Sequence, residues 1–186
     1  MVTTTNAEFD LRMAKHLKDT LDHIKLVQSN AEKLATRLIE QGEGDFAVTL
    51  IANCLRHDAS KFHGIEWKYL TTIDSTDPAQ KEKLIMAHGQ HVATNEHHPE
   101  YWAGGIKEMP RIFVAEMVCD WYARSQERGT SLWDFVKQTA VDRFEINYQS
   151  KTWNWIKEFI DLLIDPPFAD LTKPTPTKKE TPVEAK

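Results

Sequence analysis

Ile51-Ala52-Asn53-Cys54-Leu55-Arg56-His57-Asp58-Ala59-Ser60-Lys61 is the stretch that decides how this chain reads. Ile51, Cys54 and Leu55 recur at i, i+3 and i+4, the period of an α-helix, and Asp58 follows at i+7. A helix over about 46–58 would therefore turn Asp58 toward its apolar side. A carboxylate there needs a cation, a metal or several donors, because an unpartnered buried charge is costly. The stretch predicts a helical protein with a metal site.

Worked outward from there, the chain reads as all-α. No segment shows the sustained alternation, bounded by hairpin turns, that strands need. A first helix is expected over 7–28, with Leu17, Leu21, Ile24 and Val27 on one side. Ser29 and Glu32 have the spacing of a capping box, which predicts a second helix ending before Gly42-Glu43-Gly44-Asp45. Beyond 58 comes a less regular stretch. Asp77-Pro78 then supplies an N-cap and first turn for a fourth helix, which Pro99 should stop. Pro110 opens a fifth helix and Gly129 closes it. Ser131 with Asp134 begins the next. In the last, Trp153, Trp155, Ile156, Phe159, Leu162 and Leu163 form an apolar face that reads as core, with a homo-oligomer contact as the alternative. Residues 1–171 are expected to form one helical domain, and 172–186, rich in proline, threonine and lysine, a disordered tail.

The 186 residues, 41% hydrophobic and 27% charged, suit a single domain with a sizeable core. A net charge of -5 gives no electrostatic footprint for wrapping nucleic acid. No apolar run approaches the roughly 20 residues that cross a bilayer, and the opening residues lack a secretory core, so a cytoplasmic protein without a membrane partner is expected. Cys54 and Cys119 are too few for a disulfide framework and read as small hydrophobes. Among the 8 histidines, His88, His91, His97 and His98 crowd into one short segment.

Leu84, His88, His91, Asn95 and His98 are spaced as one helical stripe, and His97 lies about 100° away from it. Such a stripe is a ligand-bearing face or a solvated one. On the fifth helix Phe113, Met117 and Asp120 share a side, and Glu116 precedes Asp120 by one turn. Like charges so placed repel unless a cation intervenes, and Arg111 or Arg124 is the competing neutraliser. His23 falls within the apolar arc of the first helix. Separate helices each turning an acid or imidazole inward is how bundle metal sites are built.

The order His23, His57-Asp58, Asp120 resembles the HD superfamily, all-α metal-dependent phosphohydrolases with the pattern H…HD…D, over about residues 13–125. HDASK at 57–61 resembles the HD-x-G-K segment of the HD-GYP branch, and residues 97–105 resemble its HHE segment with glycines. The chain departs from that branch in lacking GYP and in a shorter gap between the middle histidines. It is more similar to small bacterial and phage HD-like proteins that share HD-x-SK, N-x-HHPEYW and E-M-x-x-D-W segments; here these are HDASKF, NEHHPEYW and EMVCDW.

The resemblance implies metal ligands at His23, His57, Asp58 and Asp120, with ligands for any second ion coming from among His91, His97 or His98. Imidazole with carboxylate suits manganese, iron, cobalt, nickel or zinc better than magnesium. The implied activity is hydrolysis of a nucleotide or related small phosphate ester. Asp58, Lys61, Glu66 and Glu116 are its catalytic candidates. Lys61 would neutralise phosphate, unless it is simply solvated, while Glu66, Asn95 and Glu116 would orient imidazoles or the attacking water. Ser60 reads as a backbone partner near a helix end, and Tyr101 or Trp102 as a platform for a base. A non-catalytic sensor of a metal or phosphorylated ligand is the alternative, and a metal oxygenase or lyase a third, because a fold does not fix a reaction.

Overall fold

Between Asn6 and Glu40 the chain has neither glycine nor proline, and in the computed structural model one helix, α1 (Asn6–Glu40), runs through all of it. The structure describes residues 6–69 and 77–164; part of the less regular stretch, 70–76, and the tail expected at 172–186 lie outside them. The break expected at Ser29 does not occur. Next to it Asn30 is buried, and its side chain donates to the Cys119 carbonyl (3.2 Å) and to Gln126 (2.9 Å). Those bonds tie the middle of α1 to another helix, so Ser29-Glu32 is a helix interior and not a start.

α2 (Gly44–Cys54) packs along α1. α5 (Arg111–Arg128) and α8 (Lys151–Leu163) complete a bundle in which α1 touches all three and α5 touches α2 and α8. Leu34, Leu50, Met117 and Phe159 lie at its centre, fully buried. The apolar face of α8 is core, with Ile156, Phe159, Ile160 and Leu163 all buried. Arg111 joins Glu43 to Glu158 (3.0 and 2.7 Å), which fixes the loop before α2 to α8. Toward the N-terminal end of α1 the expected apolar side changes character. Ile24 and Val27 are buried, but Leu17 and Leu21 are exposed, and Thr20 and His23 take the buried positions beside them.

Most helix ends follow the local chemistry. Asp77 accepts a bond from the Ala79 N–H beside Pro78, and Ser131 from that of Asp134. Gly129 closes α5 in the left-handed conformation, φ +63°. α6 (Leu132–Phe135) leads through a π-helical turn, Val136–Ala140, into the short α7 (Val141–Arg143). α3 (Gly64–Tyr69) and α4 (Pro78–Thr94) pack on each other, and the 3-10 turns Ala59–Phe62 and Pro99–Tyr101 lie against them. α4 therefore stops at Thr94, before the expected stop at Pro99. Asn95 leaves helical geometry and the chain turns, with His98 N–H bonded to the Asn95 carbonyl at 3.0 Å. The described residues contain no strand, and the fold is a single all-α domain. No helix among them is long and apolar enough to cross a membrane.

Candidate metal centre

Asp58 is buried at 2% exposure, but no helix presents it. α2 ends at Cys54, and the chain tightens into shorter-range bonds, Arg56 N–H to the Asn53 carbonyl and His57 N–H to that of Cys54. Asp58 then adopts φ +57°, and of the described non-glycine residues only Glu145 shares a positive φ. Aspartate tolerates this left-handed region better than most residues, and such conformations gather at functional sites. The helical period thus gave the inward direction of Asp58 for the wrong reason; the turn aims it.

Four imidazoles surround this carboxylate. On one side the Nε2 atoms of His23 and His57 lie 3.8 and 3.6 Å from Oδ2; on the other, those of His91 and His97 lie 3.3 and 3.7 Å from Oδ1. Asp120, from α5, approaches His23 Nε2 with Oδ1 at 3.0 Å. His98 places its Nε2 3.0 Å from that of His91. The structure therefore brings together His23, His57, Asp58, His91, His97, His98 and Asp120, drawn from α1, the turn after α2, α4, the turn after α4, and α5.

An outer ring of carboxylates sets which nitrogen of each imidazole faces inward. A carboxylate only accepts, so each Nδ1 donates: His23 to Glu127 (2.8 Å), His57 to Glu116 (3.1 Å), His97 toward the same Glu116 oxygen (3.4 Å), and His91 to Glu66 (2.8 Å). Ser60 donates to Glu66 (2.9 Å) and accepts from Asn95 (2.9 Å), which locks this ring in turn. Such second partners fix the tautomer and orientation of metal-binding histidines.

With its Nδ1–H so used, each imidazole meets these carboxylate oxygens through Nε2, either as a bare lone pair or as an N–H. A cation must lie between them, either protons or a metal. The inner faces of His23, His57, His97, Asp58 and Asp120 all carry buried atoms without a hydrogen bond among the described residues. Burial opposes ionisation of Asp58, but His57, Lys61 and His91 hold its pKa well below the usual carboxylate range; Asp120 is likewise lowered against its burial by His23 and His57. Burial also opposes the charge of Glu116, yet His57 and His97 draw its pKa down to about 2. Burial, with His97 and His91 beside it, lowers His98 to about 2, so its ring is neutral and offers a lone pair. The donor set fits a metal, with two groups of ligand atoms each within 4.8 Å: Asp58, His91, His97 and His98 in one, His23, His57 and Asp120 in the other. His57, His97 and Glu116 form a third such group, but hydrogen bonding already accounts for it.

Other expected residues fall differently. The stripe on α4 is broken because the helix ends first: His88 is exposed on the wall of a cavity that His23, Asp58, His91 and Asp120 also line, and Asn95 caps α4. Lys61 is not a solvated lysine. Its Nζ meets Asp58 Oδ2 at 2.5 Å, so its partner in this structure is a side chain. Glu66 and Glu116 are buried, each bonded to an imidazole Nδ1 on the side away from Asp58. The Ser60 hydroxyl bonds side chains and not backbone. Arg111 lies with Glu43 and Glu158, while Arg124 reaches Asp120 only at 3.9 Å; histidines, not arginines, neutralise Glu116. Trp102 packs on Phe113 and Tyr101 is exposed, and neither lines the cavity. The sequence expectations omit Glu127 and the side-chain partners of Ser60. The signal for Glu127 was its place two turns beyond Asp120 on α5.

Glu116→Gln should weaken metal affinity by about 10–100-fold, because one carboxylate orients two ligands and raises their basicity. Competition with a chromogenic chelator measures this. Unchanged affinity would show that Glu116 is only packing.

Residues 12–162 match the family described as "Family of unknown function (DUF5662)", and the chain belongs to it. No curated protein and no solved structure matches the chain.

Proposed function

We propose that this protein is a metal-dependent phosphohydrolase acting on a nucleotide or related small phosphate ester, with two divalent ions sharing Asp58. The observation that carries the reading is the division of one buried carboxylate between two imidazole sets, Oδ2 toward His23 and His57, Oδ1 toward His91 and His97. Asp120 would complete the first set and His98 the second. When bound, such ions lower the pKa of water and draw charge from a phosphoryl oxygen; imidazole with carboxylate suits manganese, iron, cobalt, nickel or zinc better than magnesium. The resemblance to HD phosphohydrolases supports the same chemistry.

The chain's own residues supply the rest. Glu66, Glu116 and Glu127 hold the imidazoles in place from behind. Lys61 lies beside Asp58 on the cavity side, where its ammonium can pass from that carboxylate to a substrate phosphate. The cavity measures about 510 Å³ and is bordered by His23, Asp58, His91, His98 and Asp120, a size that holds a small organic ligand.

A phosphate-release screen over nucleotides and sugar phosphates, with each metal in turn, tests the reading. Turnover is expected only with metal, and Lys61→Ala should lower kcat/KM far more than the melting temperature. Tight binding of a phosphorylated compound without turnover across all metals would move the assignment to a sensor. Neither binding nor turnover would remove the hydrolase assignment.

A further inference from the structure

The cavity extends well beyond the metal centre, and its outer half has a chemistry of its own. Asp120, Arg124 and Arg128 are spaced four residues apart on α5, and all three line the cavity. At a rise of 1.5 Å per residue, Arg128 stands about 12 Å along the helix from Asp120. Arg143, from α7, lines the cavity as well, its guanidinium 4.8 Å from the ring centre of Phe144. Phe144 is stacked on Trp121, with ring centres 5.9 Å apart and planes 9° from parallel, which steadies that wall.

These arginines are not equivalent. Arg124 is tied to Glu127 (2.9 Å) and approaches Asp120, so it belongs to the support of the centre. Arg143 makes one exposed pair with Glu100 (2.9 Å), which leaves donors of its fork uncommitted. Arg128 makes no ion pair among the described residues. From α1, on the N-terminal side of His23, the lining includes one carboxylate, Asp19, together with Thr20 and His16. A chain of net charge -5 thus directs Lys61, Arg124, Arg128 and Arg143 into a single cavity. Asp58 and Asp120 in the same lining face the imidazoles and Lys61, which leaves Arg128 and Arg143 against the single carboxylate of Asp19, an excess of positive charge that favours an anionic ligand. Arginine forks suit phosphate or carboxylate in particular.

We propose that the ligand carries two separated anionic groups, the first at the metal centre and the second in the outer cavity, held by Arg128 and Arg143. The proposal rests on the phosphohydrolase reading only for the position of the first group. The second site selects bis-anionic small molecules over their mono-anionic counterparts, whatever scaffold joins the two groups.

Two matched pairs test this on the manganese-loaded full chain: adenosine 5′-monophosphate against adenosine 3′,5′-bisphosphate, and fructose 6-phosphate against fructose 1,6-bisphosphate. Affinity is read as Kd by calorimetry, or as KM where a compound is turned over. In at least one pair the bisphosphate should bind about tenfold or more tightly, the worth of one charge-assisted contact. Arg128→Ala and Arg143→Ala should each cut that preference, and Arg128→Glu should reverse it, at unchanged metal content. Arg128 is exposed, so these variants leave the core intact. A preference without turnover would uphold the second site, and the hydrolase reading would then stand or fall on the screen across all metals. Turnover with no preference in either pair, a preference that survives all three substitutions, or no binding at all would overturn the second site.

Discussion

Asp58→Asn is expected to abolish metal binding at both positions, taking the content from about two ions per chain to near zero. Both proposed ions depend on this one carboxylate, whose two oxygens face separate imidazole sets at 3.3–3.8 Å. The amide retains the shape of the side chain but loses the charge, and its nitrogen presents donors where a cation would sit. Asparagine is also the substitution that keeps the backbone neutral, since it tolerates φ +57° as aspartate does, whereas alanine would add strain to the loss of charge. The variant should therefore fold, with an unchanged far-ultraviolet circular dichroism spectrum. Elemental analysis of both purified proteins decides the matter. Wild-type metal content in Asp58→Asn would show that the ligand assignment is wrong.

Stripping the metal should lower the melting temperature by about 8–16 °C. The ligands come from α1, the turn after α2, α4 with its following turn, and α5, so bound ions join chain segments far apart in sequence. A ligand that binds only the folded state at a thousand times its Kd stabilises by about 4 kcal/mol, and about 2–4 °C accompany each kcal/mol in a domain of this size. A thermal melt before and after chelation, then after metal is returned, measures the shift. Full reversal is expected. Identical melts in all three conditions would mean that protons, not metal ions, compensate the cluster.

The sequence was most legible where one side chain decides a local geometry. Pro110 and Gly129 frame α5, the Asp77-Pro78 pair starts α4, and Ser131 caps α6. The inward placing of His23 and Asp120 follows from polar groups on otherwise apolar faces, while His57 enters the ligand set only through the resemblance to HD proteins. What escaped was geometry that periodicity assumes in place of predicting. The helical wheel took a helix through Asp58, when the chain has already left α2 and delivers the carboxylate by a left-handed turn. It also placed His98 on the α4 stripe, although α4 ends at Thr94 and His97 and His98 both enter the centre from a turn. Ser29 and Glu32 carried a valid start signal, but nothing before them stops α1, and the bonds of Asn30 hold the helix in place. Glu127 and Ser60 were hidden because their roles exist only against partners distant in sequence, His23 and Asn95.

The most direct measurement is an anomalous-difference map from crystals of the manganese-loaded protein, recorded on either side of the metal's absorption edge. Two peaks about 3.5–4 Å apart are expected, with one oxygen of Asp58 bound to each. His23, His57 and Asp120 should complete one ion's ligands, and His91, His97 and His98 the other's. A peak held by other residues, or none at Asp58 in fully loaded crystals, would contradict it.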